Sequence, residues 1–409
     1  MLDRRTVLKL GGSAAALSLG LKPVFAQTDS ETLKLAVVVG MTGAYGVYAA
    51  EMKRGIDLVV EIMNNEGVQI GDKVYKISTQ YYDDKTDATT AGRLVERAAT
   101  SDGAHMVLAS GGSAIVKANV AVAQRIKKPM MALWSQVDGV YSPQKGNPWL
   151  FSSLPPFSLM YRGLMQFQAE LPSPEIKTVV MVGPNNELGI YSGDDYFPED
   201  VKLAGLELLG VEYYPPGSNE YLTSIARARR MNPDCLVLNA YSDETVPMIK
   251  EMQSIGWFPK SVVIESPGGV AQSLGDAVNG LFVPLLWDDK IADTKDKYVG
   301  TGPDFTRLYT EKYGAAPPDF TAAIAAHDAI SYVQVMQKAG VIDDSEAIRN
   351  AFLETDAETF FGPNSFDDDG LNRKAPVHAG QFQNGATTVV YPADIRSSEP
   401  IHPYPGYKG

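Results

Sequence analysis

Leu33-Lys34-Leu35-Ala36-Val37-Val38-Val39-Gly40, followed by Met41-Thr42-Gly43-Ala44-Tyr45-Gly46, is an apolar run closed by a glycine and a turn-rich loop. A run of this length, rich in β-branched residues and bounded by turn formers, reads as a buried strand. Beyond it, Ile56, Val59, Val60 and Met63 recur at helical spacing through residues 50–66, and Asn64-Asn65-Glu66-Gly67 ends the pattern as a glycine cap does. A strand, a loop and a helix open the folded part of the chain.

The same unit recurs outward from this stretch. Strand patterns at 75–82, 106–109 and 130–134 alternate with helical patterns at 88–99 and 114–126. Such alternation builds a parallel sheet with helices on both faces. After Leu154-Pro155-Pro156 a second series begins, with helices at 161–169, 196–209, 221–230 and 245–255 and strands at 178–182, 211–214, 235–239 and 261–264. Residues 285–409 read mainly as helices, at 305–313, 321–338 and 345–353, with few strand patterns, and must pack on lobes already built. The expected fold is α/β with two doubly wound parallel-sheet lobes, residues 31–153 plus 285–375 and residues 154–284 plus 376–409. Pro155-Pro156, Pro284 and Asp367-Asp368-Asp369-Gly370 are the expected crossings, and repeated crossings make a hinge.

Residues 1–26 read as an export signal. Arg4 and Arg5 precede an uncharged apolar stretch from Leu10 to Leu21, and Val24-Phe25-Ala26 supplies a small-residue cleavage pattern near Ala26. The paired arginines fit twin-arginine export, with general secretion as the alternative. The apolar run is shorter than a bilayer span. Removing this segment takes away a net +3 and moves the chain from −13 to −16, a balance that argues against nucleic acid as a partner. The sole cysteine, Cys235, has no internal partner and reads as a buried core thiol. A chain of about 380 residues after processing exceeds the size at which single cores stop growing, so two lobes are expected.

Ligands of doubly wound sheets bind beyond the carboxyl ends of the strands. The loops there carry no Walker phosphate loop, no Gly-x-Gly-x-x-Gly turn and no Gly-x-Ser-x-Gly elbow. His105, His327, His378 and His402 are scattered, without metal-ligand or triad spacing, and Asp367-Asp368-Asp369-Gly370 lacks the spaced ligands of a calcium loop. No cofactor or metal is expected, and a binder is favoured over an enzyme.

Five motifs in order carry a resemblance: Gly40-Met41-Thr42-Gly43, Asn64-Asn65-Glu66-Gly67, Tyr82-Asp83-Asp84, Ser254-Ile255-Gly256-Trp257 and Gly362-Pro363-Asn364-Ser365-Phe366-Asp367. In this order and spacing, over nearly the whole mature chain, the sequence resembles the periplasmic substrate-binding proteins of branched-chain amino acid transporters, the leucine/isoleucine/valine-binding type. The resemblance implies two lobes joined by three crossovers, closing over a small-molecule ligand, with the permease and ATPase subunits of an ABC importer as partners. Periplasmic location and a monomer are the matching expectations.

The resemblance also implies a site. Ser113, between Gly112 and Ala114, matches a family serine that holds the ligand carboxylate at a helix N-terminus. Glycines that admit close approach and unpaired N–H groups suit that role, although Ser113 could simply cap its own helix. Trp134-Ser135-Gln136 matches a second carboxylate anchor whose small residues are replaced, so Trp134 is either a flat wall for the ligand or part of the core. Tyr48 and Tyr241 match family tyrosines that pack on the ligand and help shut the cleft, with surface or core as the plainer reading of each. Where the family neutralises an ammonium with glutamate, a gapless match places Pro267, and Glu265 stands two residues earlier. Leu188 replaces a frequent cleft tyrosine. A buried ammonium without a carboxylate partner is costly, so either Glu265 turns into the cleft or the ligand is an apolar or aromatic carboxylate without an ammonium. A sensory ligand-binding protein of the same fold is the main alternative function, and an exported enzyme a more distant one.

Overall fold

The computed structural model describes residues 31–290 and 293–408, so the expected export signal lies outside the described residues. The opening stretch forms strand β1 (Glu31–Val39) and the helix Gly46–Glu66. Around β1 lie β2 (Val68–Ile70), β3 (Lys73–Asp83), β4 (Met106–Ala109), β5 (Met130–Ala132) and β6 (Leu150–Phe151), in the order β2-β3-β1-β4-β5-β6. All neighbours in this sheet pair parallel except β2 with β3.

The period of two along β1 assigns its residues to two separate packing layers. Leu33, Leu35, Val37 and Val39 enter one core with the helices Gly46–Glu66 and Thr321–Ala339, whereas Ala36 and Val38 enter another with Ala88–Thr100 and Ser113–Ile126. The helix Thr321–Ala339 is buried on nearly every side through Met336, which explains its apolar composition all round. It crosses the first helix where Gly55 lets the two backbones meet: a Cβ there would stand 1.9 Å from the Ala322 carbonyl oxygen.

The second sheet contains β7 (Thr178–Pro184), β8 (Glu207–Tyr214), β9 (Cys235–Leu238), β10 (Ser261–Ile264) and β11 (Phe282–Leu285). Two short hairpins follow, β12 (Lys295–Asp296) with β13 (Gly300–Thr301) and β14 (Asp356–Thr359) with β15 (Gly362–Ser365). The last hairpin, β16 (His378–Gln383) and β17 (Ala386–Tyr391), adds antiparallel to β11 and completes the order β17-β16-β11-β10-β9-β7-β8. Cys235 is fully buried in β9, inside this sheet.

Four local expectations need correction. The helix expected at 196–209 is a short one, Phe197–Leu203; the chain turns at Ala204-Gly205 and is already extended at Glu207, where pairing with β7 outweighs helical spacing. The C-terminal stretch contains more strand than its pattern suggested, because β16 and β17 add to an existing edge. The strand expected to reach Trp134 ends at Ala132, and Trp134 itself has φ +54. Finally, Pro284 lies inside β11, and the turn at 367–370 is hydrogen-bonded to Gly146 and Ser152 beside the first sheet. The chain therefore leaves the second sheet after Leu285 and re-enters it at His378.

Gly55→Ala should force the two central helices apart and cost about 1–3 kcal/mol, the usual scale for overpacking a core. Denaturant unfolding of the variant checks this.

Candidate functional site

A narrow cleft lies where the carboxyl ends of the two sheets face each other. Its wall takes Gly112 and Ser113 after β4, Trp134, Ser135 and Gln136 after β5, Leu188 after β7, Tyr241 after β9 and Glu265 after β10. These are eight of the ten positions expected from sequence.

The polar end on the first lobe is built by the turn before the helix Ser113–Ile126. Gly112 is the cap residue with φ +88, and no side chain caps this helix, so Ser113 is not bonded as its own cap. Its first-turn N–H groups and the partial positive charge of the helix end are placed beside the cavity. Ser113 is buried and lines the wall, as is Ser135, whose hydroxyl has no partner among the described residues. Gln136 donates Nε2 to Met160 Sδ at 2.5 Å, leaving its Oε1 unbonded among the described residues. This lobe thus presents hydrogen-bonding groups with no acid among them.

Trp134, half-buried, stands between core and cavity. Its indole lies 4.2 Å from the Tyr48 ring centroid, 5.9 Å from that of Tyr45 and 5.5 Å from that of Tyr241. A non-glycine residue held at φ +54 beside a cleft is under backbone strain. Tyr45 and Tyr241 meet edge to face at 5.3 Å across the lobes. Burial pushes both hydroxyls well above the ordinary tyrosine value, so they remain neutral donors.

Two expected positions fall elsewhere. Ala114 is exposed and absent from the wall, because the first helical turn points its side chain outward. Tyr48 stands behind Trp134, and its hydroxyl bonds the Ser242 hydroxyl, the Ser242 N–H at 3.2 Å and the Ser266 hydroxyl at 3.1 Å. It ties the lobes together. Lys117 reaches Glu187 at 3.0 Å across the same divide, but both are solvated enough for this ion pair to contribute little.

Glu265 is the electrostatic focus of the second lobe. It is 6% exposed, its Oε2 has no hydrogen-bond partner among the described residues, and Ser266 and Pro267 line the wall next to it. Burial, reinforced by the nearby Glu244 carboxyl, pushes Glu265 up to about 8. Glu244 is itself raised to about 7, chiefly by burial.

Phe157, Met160, Pro284, Leu286 and Phe320 complete an apolar body that the sequence reading missed. Several come from the crossings and from the C-terminal third, far in sequence from the strand-end loops. Tyr45 lies in the first such loop, and its turn-rich neighbourhood was the signal that could have found it. Of the histidines, His105 accepts from the Lys34 N–H at 2.9 Å, His402 Nε2 lies 2.8 Å from the Pro174 carbonyl and His327 is buried against Thr359, all away from this cleft. His378 lines a separate groove.

Comparisons with known proteins agree on the fold. A family model described as periplasmic binding protein matches residues 32–386. The Leu/Ile/Val-binding protein homolog 7 of Brucella abortus (strain 2308) is 22% identical over 404 residues, covering 95% of this chain and 97% of the relative. Among solved structures, a leucine binding protein from Thermotoga maritima superposes with a TM-score of 0.75 at 18% identity, over 87% of this chain and 97% of the other. A solute binding protein from R. palustris, in complex with benzoate, gives 0.73 at 16% identity, over 88% and 95%.

Tyr48→Phe should strand the partners of the lost hydroxyl and weaken the closed form by about 1–3 kcal/mol. Small-angle scattering of the ligand-free variant should show a larger radius of gyration than the parent protein.

Proposed function

The chain belongs to the periplasmic binding protein family, and from that membership we propose that it is the extracytoplasmic solute-binding component of an ABC importer. It captures a small carboxylate-bearing molecule between two lobes, one built on each sheet, and presents the closed form to the permease and ATPase subunits. No described helix is long and apolar enough to cross a membrane, which suits a protein that delivers its ligand to a separate permease.

The observation that carries this reading is the polar end of the cleft. Ser113 at a helix N-terminus and the unpaired Ser135 hydroxyl offer donors to an anionic head, and the lining on that lobe contains no competing acid. Trp134, Tyr241 and Leu188 cover the apolar body of the ligand. The named ligands of relatives, leucine and benzoate, span the same two chemistries. Among the described residues no serine of the wall is hydrogen-bonded to the Glu265 carboxyl, which suits reversible capture followed by hinge closure.

Thermal unfolding of ligand-stripped protein against branched-chain and aromatic amino acids, aromatic carboxylates and sugars tests the reading. A bound carboxylate at about 100 times its dissociation constant should stabilise by about 2.7 kcal/mol, and Ser113→Ala should weaken its binding about tenfold. Stabilisation by sugars alone, or turnover of the bound compound, would sink it.

A further inference from the structure

Outside the cleft, a groove of about 300 Å³ opens where the chain leaves the second sheet and where it returns to it. On one side Leu286, Trp287 and Asp288 follow directly on β11; on the other, Lys374 and His378 lead into β16, the strand that pairs with β11. Phe361, from the turn between β14 and β15, closes a third side. Leu286 also lines the cleft, so the two spaces share a side chain. A pocket of this size is large enough for a small organic molecule.

Two features of the lining select an occupant. The first is aromatic: the rings of Trp287 and Phe361 lie nearly parallel, 6° apart in plane with centroids at 5.8 Å. The Trp287 N–H is given to the Phe360 carbonyl at 3.5 Å, so the indole has no donor left for a ligand and offers only its ring. The second is charge. Asp288 and Asp293 both line the groove, and neither forms an ion pair among the described residues. Asp288 accepts the Lys290 N–H at 2.9 Å. The cation of the lining, Lys374, is already met by Asp356 at 2.7 Å, and burial lowers His378 below its ordinary value, so that it adds no charge at neutral pH. Two carboxylates therefore stand over an aromatic floor without a counter-charge, and the buried Thr294 hydroxyl beside them has no partner among the described residues.

We propose that this groove is a second binding site, separate from the cleft, for an organic cation with an apolar body. The ammonium is taken by Asp288 and Asp293, and the body lies on Trp287 and Phe361. Aromatic faces attract a cation that has shed part of its water, and carboxylates bind it through charge-assisted hydrogen bonds. An anion of the same shape meets two carboxylates, and a neutral molecule gains apolar contact alone. The occupant touches both the segment that leaves the second sheet and the segment that rejoins it, so it favours the closed arrangement over one in which these segments part.

Calorimetric titration of the full chain with 2-phenylethylammonium tests the site, with 2-phenylethanol as the neutral counterpart. The cation should bind once per chain, and the alcohol about tenfold more weakly. Asp288→Asn should weaken the cation about tenfold and Asp288→Glu restore most of it, Phe361→Leu should weaken it about threefold, and Glu265→Gln, in the cleft, should leave it unchanged. Asp288 is partly exposed, so its variants keep the test decisive even where Phe361→Leu fails to fold. In the Tyr48→Phe variant, saturating cation should bring the radius of gyration in small-angle scattering back toward that of the parent protein. Absence of saturable binding overturns the proposal. So does equal binding of the alcohol, or binding lost in Glu265→Gln and kept in Asp288→Asn, which places the cation in the cleft. An unchanged radius overturns the link to closure. Each of these outcomes leaves the solute-binding reading of the cleft intact.

Discussion

A parallel strand cannot turn back on itself; at its carboxyl end it must pass through a loop into a helix. Every such passage leaves backbone N–H groups unpaired at the start of the helix. Here two mainly parallel sheets bring those ends face to face, so the unpaired donors of one lobe and the buried acid of the other are consequences of the architecture. Gly112 and Ser113 occur where β4 gives way to its helix, and Glu265 where β10 ends. The cleft chemistry is located by topology before any side chain is chosen.

The closed arrangement is held by aromatic contacts more than by charge. Tyr45 meets Tyr241, and Trp134 packs between them and Tyr48, whose hydroxyl crosses to Ser242 and Ser266. The contacts of Tyr241 with Tyr45 and Trp134, and of Tyr48 with Ser242 and Ser266, form only when the lobes have come together, and they are short-ranged, so they favour one discrete closed state. Against them stands the cost of a carboxyl and several hydroxyls without partners in the same space.

Much of this was legible in the sequence because strand-end loops advertise themselves. Apolar runs closed by turn formers located the loops that carry Ser113, Trp134, Leu188, Tyr241 and Glu265, and each of these lines the cavity. What stayed hidden depends on long-range packing. Phe320 and Leu286 reach the cleft from segments outside the strand-end loops, and Met160 ends a four-residue helix, Phe157–Met160, that lies just before the helix expected at 161–169. Tyr48 shows the limit in another way: the resemblance matched it to a tyrosine that packs on the ligand, but only the folded neighbours show that its hydroxyl serves the opposite lobe. The β16–β17 hairpin escaped notice because its strands join an edge formed by β11, nearly a hundred positions earlier in the chain.

The helix Thr321–Ala339, seated against Gly55 and the core face of β1, has a consequence for biosynthesis. The helix Gly46–Glu66 covers only part of the face that Leu33, Leu35 and Val37 present, and the rest stays open until residues 321–339 have been made. Nascent chains therefore wait with that face partly uncovered, so completion of the first lobe is a late event with high contact order. Chaperones that hold extended chains have a long interval in which to act on it, and a truncation after β11 would leave the first lobe without its keystone.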